Sequence, residues 1–119
     1  MSPGRVLPGQ GGKEWSESER KALLEYYVDG MSGVFLAKLF ECNALAVAEE
    51  LARLVLGVSG LKQNPKAPSY GRPWEWYDDQ LFKREYQLRR PLSGIARALG
   101  RDEFAIAFRI LDMRPPVPK

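Results

Sequence analysis

The sequence predicts an all-α protein made of two tandem three-helix units joined by a Pro/Gly-rich linker, and three observations predict it. Apolar residues recur at helical spacing over two stretches, Trp15 to Gly57 and Trp74 to Met113. Between them, Ser59 to Pro73 (SGLKQNPKAPSYGRP) replaces that pattern with Pro, Gly and Lys. Shifting the first stretch by 59 positions lays it over the second. Trp15 then meets Trp74, Leu23 meets Phe82, Tyr27 meets Tyr86, and Leu36-Ala37 meets Ile95-Ala96. Phe40 meets Leu99, Ala46-Val47 meets Ala105-Ile106, Leu51 meets Ile110 and Leu54 meets Met113. Apolar matches at one spacing point to a duplicated fold. The expected organisation is a flexible tail at 1–13, a first unit at 14–58, the linker at 59–73, a second unit at 74–113 and a tail at 114–119. The last of these (RPPVPK) holds three prolines, which lack the N–H a helix needs.

Each helix has its own start and stop signals. Ser16 with Glu19 forms a capping box for a helix that Gly30 ends. Ser32 caps a short second helix to about Phe40, and Asn43 caps a third that closes at Gly57. In the second unit the first helix covers about Glu75 to Leu88, and Pro91 suits the first turn of the next. Gly100 ends that helix, and Asp102 caps the last one, to about Asp112. The turns Glu41-Cys42-Asn43 and Gly100-Arg101-Asp102 have the length that joins crossed helices in a helix-turn-helix.

Composition bounds the chemistry. The chain has 119 residues, 45% hydrophobic and 28% charged, with one cysteine and no histidine. This is a globular composition with material for a core. The absence of histidine removes His-containing triads, every zinc site with a His ligand and the usual proton shuttle near neutral pH. No Gly-rich phosphate loop, paired metal ligands or nucleophile–base pair appears, so the expectation is a protein that is not an enzyme, with no cofactor and no metal. The adjacent pairs Glu49-Glu50 and Asp78-Asp79 diverge by about 100° on a helix and do not share a site. No apolar run is long enough to span a membrane and Met1 to Gly12 lacks a signal-peptide core, so no membrane partner is expected and the cytoplasm is the expected location. Cys42 has no basic neighbour to activate it and reads as a packing residue.

The motif Trp, then (L/F)…Y, then (L/I)-A-x-x-(F/L), a short turn and A-(V/I)-x-x-x-(L/I)-x-x-(L/M) resembles the tri-helical Myb/SANT-like family of helix-turn-helix domains. The stretch PLSGIARALGRDEFAIAFRILDM is similar to the second and third helices of such domains. The resemblance covers about 85 residues in two copies. It implies double-stranded DNA as a partner, with the third helix in the major groove and its outward residues on base edges.

Charge supports that reading for the second unit. From Glu14 to Val58 there are eight acidic and four basic residues, whereas from Arg72 to Arg114 there are nine basic and seven acidic ones. Eight of the eleven arginines follow residue 60. In the family's docking geometry Arg89, Arg90, Arg97, Arg101 and Arg109 would lie near phosphates, with Phe104 and Phe108 at the groove. Arg5, Lys13, Lys62 and Lys66 would add basic charge in tail and linker, while Glu103 opposes the approach of a duplex. A projection at 100° per residue puts Ile106, Ile110 and Met113 inward and Phe104, Phe108 and Leu111 outward, with Ala107 beside them. In the first unit it puts Val47, Leu51 and Leu54 inward and Leu45, Glu49, Ala52 and Leu56 outward. Such outward faces favour protein contacts over base readout.

Two functions therefore stand side by side. The first is a DNA-binding protein, a small transcriptional regulator acting through the second unit, associated with the nucleoid. Its acidic first unit would support a homodimer or recruit a partner. The other is a protein-interaction module, an inhibitor or adaptor of bacterial or phage type, using Leu45, Leu56, Trp76, Phe104, Phe108 and Leu111. Equally, these faces would be covered if the two third helices pack on each other or on the linker. Trp74 is assigned to the core. Trp76 and Tyr77 would stack on bases, fill a partner's pocket, or pack on Tyr70.

Overall fold

The capping signals translate directly into helix starts. The structure, a computed structural model, describes residues 13–115, and all of its regular elements are helical. They are α1 (Glu17–Val28), α2 (Gly33–Leu39), α3 (Ala44–Leu51) with a π-helical extension (Ala52–Leu56), α4 (Trp76–Gln87), α5 (Leu92–Leu99) and α6 (Glu103–Asp112). The Ser16 hydroxyl accepts from Glu19 N–H (3.1 Å) while the Glu19 carboxylate accepts from Ser16 N–H (3.0 Å). Ser32 and Asn43 accept from the third residue of their helices in the same way. Arg5 and the rest of 1–12 and 116–119 lie outside the described residues.

The backbone of the first three helices recurs in the next three at the 59-residue spacing. Cys42 N–H donates to Ala37 O at 2.9 Å, and Arg101 N–H donates to Ala96 O at 2.9 Å. Met31 to Tyr26 matches Arg90 to Glu85, and the Asn43 cap on Ala46 matches the Asp102 cap on Ala105, both at 2.9 Å. The left-handed positions also correspond: Gly30 with Arg89, and Glu41 with Gly100. The correspondence at this spacing thus extends to individual turns.

The chain divides into two compact units whose limits differ from the sequence expectation. Among the described residues, unit 1 comprises 13–61 with 110–115, and unit 2 comprises 62–109. In unit 1 α1 packs on α2 and α3 around Leu23, Tyr27, Leu36, Val47, Leu51 and Val55, all buried. Trp15 joins that core, its ring 5.3 Å from that of Phe40. Residues 110–115 close it. The Tyr27 hydroxyl donates to Leu111 O (2.6 Å), and Arg114 lies over the Tyr27 ring (4.2 Å) while donating to Tyr27 O and Met31 O. Arg114 is therefore a structural residue of unit 1 and not part of a tail.

In unit 2 α4 packs on α5, with Phe82, Ile95 and Leu99 buried. Trp74 meets Phe82 edge-on at 6.0 Å, and Phe82 stacks on Tyr86 at 5.8 Å. The linker is largely built into this unit. Ala67 is buried, Ser69 N–H donates to Gly100 O (2.8 Å), and three of the linker's carbonyls are held by Arg101.

Candidate nucleic-acid interface

Helix α6 is poorly suited to reading bases. Phe104, Ile106, Ala107, Ile110 and Leu111 are buried, and the open side is a narrow strip of Ala105, Phe108, Arg109 and Asp112, of which only Asp112 is fully exposed. The expectation that Phe104 and Leu111 face outward is corrected: Phe104 is 2% and Leu111 5% exposed, whereas Met113, which the projection placed inward, is exposed. The start of α6 is covered as well. Glu103 N–H donates to Lys62 O (3.3 Å), and the Glu103 carboxylate accepts from Lys62 N–H (3.1 Å). Asp102 caps Ala105 and also accepts from Asn64 N–H. The third helix of unit 1 is no better placed, because Ala46, Val47, Ala48, Glu50 and Leu51 are buried. Leu45 and Leu56 are half-buried, Leu56 against the unit 1 core.

Arg101 is likewise corrected, from a phosphate contact to an internal hub. Its side chain is 3% exposed. The guanidinium donates to Ser69 O (3.2 Å), Arg72 O (2.8 Å), Pro73 O (3.1 Å) and Asp78 (3.2 Å). Arg109 is half-buried, paired with Asp79 and set 4.8 Å from the centre of the Trp74 ring. Neither has a charge to offer a duplex.

The remaining arginines are at the surface. Arg89, Arg90 and Arg97 are exposed, and of these Arg90 has a partner, Glu85, at 3.6 Å. Arg89, Arg90, Tyr86 and Gln87 line a shallow concavity of about 520 Å³. Arg97 lines a groove of about 420 Å³ with Lys62, Asn64 and Ser93.

The charges of unit 2 are sorted by environment. The unit has ten basic and six acidic residues. Five of the six carboxylates have an internal partner: Asp78 on Glu75 N–H and Arg101, Asp79 on Arg109, Glu85 on Arg90, Asp102 and Glu103 on backbone N–H groups; Glu75, at the N-cap of α4, is exposed. Lys62, Lys66, Arg72, Lys83, Arg84, Arg89 and Arg97 are exposed and have no ion-pair partner among the described residues.

Trp76 and Tyr77 are 69% and 58% exposed, their rings edge-to-face at 5.7 Å. They are not sheltered by Tyr70, itself exposed. Lys83 and Arg84, two helical turns on, were missed in reading the sequence. Projecting α4 as α6 was projected would have found them, since both fall on the side opposite Phe82. No helix among the described residues is long and apolar enough to cross a membrane. Comparison with protein-family models, curated proteins and solved structures finds no match to this chain.

Proposed function

We propose that this protein binds nucleic acid through unit 2, as a non-enzymatic module that holds the phosphate backbone. One observation carries the reading: five of the unit's six carboxylates are engaged internally, while seven exposed cations are free of ion pairs among the described residues. Such a surface attracts a polyanion by displacing its counterions. Arg89, Arg90 and Arg97 keep the role expected from the sequence, and Lys83 and Arg84 join them. Readout by a third helix in a major groove is not part of the proposal, because the open side of α6 is a narrow strip whose one arginine, Arg109, is paired with Asp79. A module of this kind works where nucleic acid is held, in the cytoplasm or on the nucleoid.

The test is a titration of labelled oligonucleotides, single-stranded and duplex, at about 50 mM and about 200 mM salt. Contacts to six or more phosphates predict an affinity that falls by about a thousandfold between them. Binding that is absent at the lower salt, or insensitive to salt, overturns the proposal.

A second reading rests on unit 1, where Val34, Phe35 and Leu39 stand exposed on α2. Phe35 and Leu39, four residues apart, lie along one side of the helix. Of the residues expected at a protein interface, Phe104 and Leu111 are buried, and this patch is the candidate for self-association. Light scattering of the wild type and Phe35→Glu decides it: a dimer that becomes a monomer supports the reading, and a monomeric wild type removes it.

A further inference from the structure

The solvent face of α4 combines groups that no duplex contact requires. Trp76, Tyr77, Gln80, Lys83, Arg84 and Gln87 are all exposed. At 3.6 residues per turn they fall within an arc of about 120°, centred nearly opposite the buried Phe82. Asp78, Asp79 and Glu85 lie outside that arc and are partly buried, each with an internal partner. The face is therefore free of carboxylates over its whole length, roughly 16 Å from Trp76 to Gln87. It carries two aromatic rings at its start and two cations beyond them, with amides between and after. At its end lies the concavity lined by Tyr86, Gln87, Arg89 and Arg90.

Exposed rings are of little use to a double helix, whose bases are already stacked on one another. They are of direct use to an unpaired strand. Each base has a π-face, and stacking on an aromatic side chain adds affinity regardless of sequence, while nearby cations follow the phosphates. The edge-to-face contact of Trp76 with Tyr77 holds two rings together before any ligand arrives. The competing route, base readout inside a duplex groove, is disfavoured because the open side of α6 offers Ala105, Phe108, Asp112 and an Arg109 already paired with Asp79.

We infer that the α4 face is a single-strand site: bases stack on Trp76 and Tyr77, and the phosphates run along Lys83 and Arg84 toward Arg89. The inference rests on the nucleic-acid reading above and names its substrate class.

The test compares a labelled 20-nucleotide poly-dT strand with a 20-base-pair duplex at about 50 mM salt. A duplex has the greater charge density, so electrostatics alone favours it; stacking reverses the order. Tighter binding of the strand is expected, weakened about tenfold in Trp76→Ala and restored in Trp76→Phe, with duplex affinity unmoved. The urea midpoint of each variant checks that the fold is intact. A strand that binds no tighter than the duplex, or a Trp76→Ala variant that binds it as well as wild type, overturns the single-strand inference and leaves the backbone-binding reading standing. Binding to neither ligand overturns both and assigns the exposed rings to a protein contact.

Discussion

The guanidinium of Arg101 lies 4.4 Å from the centre of the Trp74 ring and holds the carbonyls of Ser69, Arg72 and Pro73 together with the Asp78 carboxylate. One side chain thus fixes the linker to α4 and to the turn before α6. Its Nε has no hydrogen-bond acceptor, and the indole face beneath the guanidinium offsets that loss. Arg101→Ala strands three carbonyls and a half-buried carboxylate. The expected loss is about 3–5 kcal/mol, a large part of the stability of a small domain. Arg101→Lys does not rescue it, since an ammonium lacks the planar fork. Urea midpoints measure both, and a midpoint within error of wild type contradicts the assignment.

Arg89 occupies a left-handed backbone position (φ 59°) whose counterpart in unit 1 is Gly30. A side chain there costs about 1 kcal/mol. Arg89→Gly is expected to raise stability by about that amount while weakening oligonucleotide binding. Glu41→Gly, at the other strained non-glycine position of the repeat, is expected to stabilise without touching affinity. If Arg89→Gly binds as tightly as wild type, Arg89 is not a phosphate contact.

Burial and the neighbouring Glu50 raise the Glu49 carboxyl above its ordinary range. The folded state then holds the proton more tightly than the unfolded one, so ionisation costs stability as pH rises from the unfolded value through the folded one. Glu49→Gln should therefore raise the melting temperature near pH 7. The gain should fade on acidification below about pH 4, as the unfolded carboxyl becomes protonated too. A gain independent of pH would contradict this origin.

Cys42 packs against the unit 1 core, and burial pushes its thiol up. The thiolate is the reactive form, so alkylation near neutral pH should be slow in the native protein and fast in urea. Equal rates in both would place the thiol in a more open setting than the core contact allows.

Local signals were legible in the sequence, and long-range ones were not. Ser16, Ser32, Asn43, Gly57 and Gly100 do what their types suggest, because caps and left-handed stops join residues a few positions apart. The linker misled, since its Pro and Gly content says nothing of the arginine about 30 residues on that grips its carbonyls. Helix α6 misled more seriously. The projection was centred on Ile106, Ile110 and Met113, whereas the open side is marked by Arg109 and Asp112, and apolar residues cover most of the remaining arc. Arg101 followed from that error, whereas the α4 face needed only the same projection on a helix with a true polar side.

The most direct test of the account is the salt dependence of strand binding in single-site variants. Each phosphate contact contributes about 0.7 to the slope of log affinity against log salt for a single strand. Lys83→Ala and Arg84→Ala should each lower the slope by about that amount. Lys38→Ala, which removes an exposed cation from the acidic unit 1, should leave it unchanged. Equal effects from all three variants, or a wild-type slope near zero, would contradict an interface built on unit 2.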